Sequence, residues 1–146
     1  MRRVLLVGLL VLFGAGCSDD STGPSRTVQI VGTYTLESIN GNALPYVFHE
    51  FPGAYLMHQV SGSFVLNADR TYQENALLRE YFNTPGGITW QDIPVSLAGT
   101  WQAEDSVLLV TQTDNGATGF GFISGNRLTL SFEVSDSLYT YIYNRD

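Results

Sequence analysis

The chain has 146 residues, 14 acidic and 7 basic side chains, a net charge of −7 and 44% hydrophobic residues. That length suits one domain whose core needs neither disulfide nor metal, and the single cysteine excludes an internal disulfide. All basic residues are arginine and, beyond Arg2 and Arg3, none cluster, so there is no footprint for nucleic acid, and anionic headgroups would repel the body.

In chain order, Met1-Arg2-Arg3 is a positive start. Residues 4–13 are apolar apart from Gly8, and Gly14-Ala15-Gly16-Cys17 follows. This is the layout of an export signal. The apolar run falls short of the roughly 20 residues a membrane-crossing helix needs, and Asp19-Asp20 stops it from extending. A cysteine directly after small residues resembles the lipobox of bacterial lipoproteins, although Gly14 stands where that box usually carries leucine.

The resemblance implies that residues 1–16 are removed and that Cys17 is lipidated, palmitate being a typical acyl chain. Membrane partnership then comes through the N-terminal lipid, since more than one acyl chain anchors stably where one is marginal. It implies a place in the bacterial cell envelope. By the same resemblance Ser18 favours the outer membrane, at its periplasmic face or surface. Residues 17–27 are small and polar and read as the lipidated terminus and a disordered, flexible tether.

From residue 28 to 146 short runs of β-branched and aromatic residues alternate with Gly, Asn and Asp clusters, the pattern of an all-β domain. Strands are expected at 30–39, 60–66, 71–81, 97–103, 107–113, 117–123, 127–134 and 138–144. The turns between them hold Asn, Asp and Gly, which tolerate the positive φ of tight hairpins. Short connections make sequential strands neighbours. An eight-stranded antiparallel up-and-down sheet closes most simply into a barrel, whose interior holds side chains or one small ligand.

Segments 40–59 and 83–94 break the meander. The first, with Leu44-Pro45 and Phe51-Pro52, is expected to cap an open end; the second, with Pro85-Gly86-Gly87 and Trp90, is expected as a long rim loop.

Gly32-Thr33-Tyr34, then Asn40-Gly41 and Leu44-Pro45, then Gly99-Thr100-Trp101, resemble the lipocalin-like domains of bacterial lipoproteins. The resemblance covers most of 31–145. It implies a first-strand aromatic packed on an arginine near the end of the last strand, here Tyr34 with Arg145, while Trp101 stands on a different strand.

The aromatic inventory of eight Phe, eight Tyr and two Trp supplies pocket candidates: Tyr34, Trp101, Phe120, Phe122, Tyr139, Tyr141 and Tyr143. Catalytic chemistry is not legible. There is no Gly-x-Ser-x-Gly elbow and no phosphate-cradling loop. His49, Glu50 and His58 have metal-binding atoms at a spacing that matches no ligand motif, so neither metal nor cofactor is expected.

The leading expectation is therefore a lipid-anchored barrel that binds a small apolar or amphipathic ligand. The alternative is a filled barrel acting as a structural or protein-interaction module. An enzyme ranks third, and the sequence leaves the oligomeric state open.

Overall fold

The computed structural model describes residues 30–51, 55–134 and 136–146. The expected leader, Cys17 and the expected tether lie outside the described residues. Ten strands form: β1 Gly32–Ile39, β2 Asn42–Ala43, β3 Tyr46–Phe51, β4 Tyr55–Leu66, β5 Thr71–Thr84, β6 Gly87–Glu104, β7 Val107–Gln112, β8 Thr118–Ser124, β9 Arg127–Val134 and β10 Ser137–Arg145. Eight of them close a ring. Strands β4 to β10 pair in sequence order, β10 pairs with β1, and β1 returns to β4. The all-β, eight-stranded antiparallel barrel expected from the meander is what forms, with β2 and β3 appended to β1 and β4.

Closure depends on how β1 is shared. Its first residues, Gly32 to Thr35, pair with Leu66 to Ser63 of β4, while Tyr34 to Ile39 pair with Arg145 to Tyr141 of β10. A bulge between Leu36 and Ser38 shifts the alternation by one, so Tyr34, Leu36 and Ile39 are all buried. β4 carries a matching irregularity between Gln59 and Ser61, which lets Gln59, Phe64 and Leu66 all be buried. At the β1–β2 hairpin, Asn40 and Gly41 both take positive φ, 51° and 77°, which suits an Asn-Gly turn.

The core fills one end of the barrel. Tyr34, Phe64, Trp101, Leu108, Val110, Leu128, Leu130 and Tyr143 are essentially inaccessible, and each such side chain contributes roughly 2 kcal/mol by leaving water. On β8 the inward positions are glycines. A β-carbon on Gly119 would strike the Phe132 ring, and one on Gly121 would strike the Thr129 carbonyl and Leu130.

The expectation of a rim loop is corrected. Segment 83–94 is no rim loop, because β5 and β6 continue as one hairpin up to the Thr84–Gly87 pair. Pro94 sits within β6 opposite Leu77, and there β6 pairs only with β5, leaving an edge where proline is tolerated. Segment 40–59, expected to cap an open end, is mostly strand, and its Leu44, Tyr46 and Phe48 pack against the core. After a cis Leu44–Pro45 bond, β3 pairs with the first half of β4. The upper parts of β3, β4, β5 and β6 thus form a four-stranded arm beyond the closed ring, and Trp90 lies on it rather than on a loop.

Candidate functional site

Register assigns the faces of the arm. Leu66, Phe64 and Gly62 of β4 lie opposite Tyr72, Glu74 and Ala76 of β5, which in turn lie opposite Gly99, Leu97 and Val95 of β6. Because Phe64, Leu66, Tyr72 and Gly99 are buried, this face is the barrel's inside. It continues up the arm through Gln59, Leu78 and Ile93, then Met57, Glu80 and Gln91. Leu78, Ile93, Val95 and Leu97 are only half-buried, and they belong neither to the buried core nor to the hydrophobics packed against it.

Glu74 stands where the filled end meets this open face. The hydroxyl of Tyr143 donates to its Oε1 at 3.2 Å. Burial pushes the Glu74 pKa up, and the Tyr143 hydrogen bond offsets part of that rise. The tyrosines around it move the same way: Tyr72 is pushed up to about 12, mainly by burial, with the Glu74 and Asp114 charges adding to it. Tyr141 and Tyr143 are raised further, again first by burial and then by Glu74. Beneath the carboxyl lies an aromatic floor, with Phe64 stacked on Tyr72 at 4.8 Å and tilted against Tyr143 at 5.8 Å.

The other side of the mouth is aromatic too. Phe48 of β3 stacks on Tyr139 of β10 at 4.9 Å, with Tyr46 edge-on to Phe48 at 6.1 Å. These contacts bridge β3 and β10, which do not pair. Two shallow open depressions, about 280 and 430 Å³, are lined by Ser61, Gly62, Ser63, Asn75, Ala76 and Leu77 of β4 and β5 and by residues of β6 and β7.

The structure separates the residues proposed from sequence into three groups. Tyr139 is half-buried at the mouth, whereas Tyr141 and Tyr143 are buried in the core, Tyr143 as the donor to Glu74. Tyr34 and Trp101 are buried at the far end, each beside an arginine. The Arg145 guanidinium carbon lies 6.0 Å from the Tyr34 ring, and that of Arg70 lies 4.5 Å from the Trp101 ring. They are part of the filled core rather than a pocket wall. Phe120 and Phe122 are corrected outright: each is 52% exposed on the outer face, because Gly119 and Gly121 take the inward positions.

Among the described residues no group of three metal-ligating side chains converges. His49 lies opposite Met57 and His58 opposite Val47, so the two histidines project to opposite faces. No helix among the described residues is long and apolar enough to cross a membrane.

Glu74 escaped the sequence reading. Its only trace there is position, the middle of the inward series Tyr72, Glu74, Ala76 in a strand whose outward residues are also polar.

No protein-family model matches the chain, and no characterised protein matches it in sequence. Solved structures similar to it include fatty-acid-binding protein 1 of Echinococcus granulosus, at 12% identity and a TM-score of 0.39 over 81% of this chain and 98% of that one. A second is the REP1-NXSQ fatty acid transporter, at 12% identity and a TM-score of 0.39 over 82% of this chain and 97% of that one. At that identity and score the likeness carries nothing further.

Proposed function

We propose that the protein binds a small apolar or amphipathic ligand against the inner face of the arm, above the filled end of the barrel. One observation carries the reading: Leu78, Ile93, Val95 and Leu97 line an inward face yet remain half-buried and outside the core. Apolar surface with a few polar groups set into it is the usual composition of a small-molecule site.

The test is titration of the full chain with N-phenyl-1-naphthylamine, a neutral apolar fluorophore. Saturable binding at one site per chain, lost in Leu97→Arg, is the expected result. Enhancement that rises without saturating, or that Leu97→Arg leaves untouched, would exclude this site.

The reading extends to location. A diacylated Cys17 and the polar stretch after it would hold the domain at a bacterial envelope membrane, the outer one by virtue of Ser18. Radiolabelled palmitate should enter the wild-type chain and not Cys17→Ala. Label in neither protein would reject the anchor.

A second reading, an interaction module, is favoured by the outer face of β7 and β8. There Leu109 pairs with Phe120 and Val107 with Phe122, and all four are 44–52% exposed. Self-association that Phe120→Ser with Phe122→Ser abolishes would support it.

A further inference from the structure

The open inner face is acidic as well as apolar. Among the described residues its carboxylates are Glu74 at the floor and Glu80 further up β5, with His49 opposite Met57 on the same face. Glu80 is already engaged, its Oε1 accepting from the Tyr55 hydroxyl and its Oε2 from Gln91, both at 2.7 Å. Among the described residues Glu74 takes one hydrogen bond, from Tyr143, and it keeps acceptor capacity on a residue that remains partly accessible.

The arginines of the described chain lie elsewhere. Arg79 binds Asp92 in two hydrogen bonds of 2.6 and 3.0 Å and lies over the Trp90 ring at 4.4 Å, on the face opposite Glu80. Arg145 reaches the Val31 carbonyl at the filled end, and Arg70 lies against Trp101. Arg127, at the start of β9, pairs with Ser124 and Asn144 at that same end. Among the described residues an anionic head entering the mouth would therefore meet the Glu74 carboxyl and no arginine.

We propose that the ligand's head is a cation of the alkylammonium class, received by the Glu74 carboxylate above a floor of tyrosines, so that the site prefers amines to carboxylates with the same tail. This rests on the reading that the arm's inner face is a ligand site. The half-buried rings at the mouth, Tyr46, Phe48 and Tyr139, suit a cation as well as an apolar tail, since ring faces attract ammonium groups. The net charge of −7 also draws cations toward the chain. A bound ammonium holds Glu74 ionised, whereas a bound carboxylate requires it protonated.

The titratable groups on the strands around Glu74 are Tyr72, Tyr141 and Tyr143, all raised above their usual range, with Asp114 acting on Tyr72 from the β7–β8 turn and Glu80 and His49 further up the inner face; Phe64 of β4 and Leu97 of β6 are not titratable. Of the carboxyls at the floor, Glu74 is the one that burial pushes toward the protonated form.

Three ligands with one tail decide the matter: dodecylamine, dodecanoate and dodecanol, each below its micellar concentration, titrated into the full chain bearing Cys17→Ala so that no acyl chain competes. Dodecanol reports whether the site exists at all. Amine affinity at least about tenfold above that of dodecanoate at neutral pH is expected, with the ratio collapsing toward one in Glu74→Gln. Should that variant not fold, a chain bearing Glu80→Gln and His49→Gln still answers, because with those two groups removed amine affinity must weaken on acidification as Glu74 is protonated. Saturable dodecanol binding with equal amine and carboxylate affinities, or with dodecanoate the tighter, overturns the cation assignment and leaves the ligand site standing. A flat pH profile for the amine overturns it too. Absence of binding by all three overturns both.

Discussion

Tyr34 and Arg145 face each other across the β1–β10 seam, and Arg145 also donates from Nη2 to the Val31 carbonyl at 2.6 Å. The Tyr34 hydroxyl donates to Ile30 O at 2.7 Å, so two side chains hold the backbone just before β1. Arg145→Met should cost about 1–2 kcal/mol through the lost charged hydrogen bond and ring contact. Tyr34→Phe should cost about 1 kcal/mol for one buried acceptor left unpaired. Urea unfolding of each variant measures both.

Trp101 is the second aromatic held by an arginine. Its Nε1 donates to Asn67 O at 3.1 Å, its backbone amide to Arg70 O at 2.8 Å, and Arg70 takes φ of +69° to place its guanidinium over the ring. Trp101→Ala should cost about 3–5 kcal/mol, since it empties the largest site in the core. Trp101→Phe should lose less, and calorimetry would order the two.

Glycines at 119 and 121 set the barrel's inner radius at β8. Gly121→Ala must push a β-carbon into the Thr129 carbonyl and Leu130, so it should destabilise by about 1–3 kcal/mol or more. Gly86→Ala at the arm's tip meets only the Thr84 hydroxyl oxygen at 3.9 Å and should be neutral within about 0.5 kcal/mol. Phe120→Ser and Phe122→Ser, on the outer side of the same strand, should be similarly mild one at a time.

Glu74 makes stability depend on pH in a definite direction. Its pKa is raised in the fold, so the protonated form is favoured there. The stabilisation this gives is complete below the unfolded-state pKa and is lost as pH rises through the folded one. Glu74→Gln should therefore melt higher than the parent at neutral pH, with the gap closing on acidification. Melting curves across that window check it, and a gap that widens toward acid would mean that the carboxylate is stabilised in the fold.

How much of this was legible in sequence depends on which residues are asked. β9 was read residue for residue, because Leu128, Leu130 and Phe132 alternate cleanly with Thr129 and Ser131. The arm was misread because Pro45, Pro85 and Pro94 resemble punctuation, and only the pairing of β6 with β5 alone shows why Pro94 does no harm. Phe120 and Phe122 failed for another reason. Alternation separates two faces of a strand without saying which is inside, and on β8 the partner residues Phe132 and Leu130 occupy the space that inward phenylalanines would need. Glu74 was invisible because a polar residue on an inward face breaks the pattern by which inward faces are recognised.

The sharing of β1 between β4 and β10 also dictates when the barrel can exist. The Arg145–Val31 contact joins residues 114 apart in sequence, and such a long-range closure comes late in folding. During synthesis the ring stays a curled ribbon with its apolar lining uncovered until the last strand has been made. A chain cut before β10 would not give a smaller barrel; it would leave β1 and β9 as bare edges open to other chains.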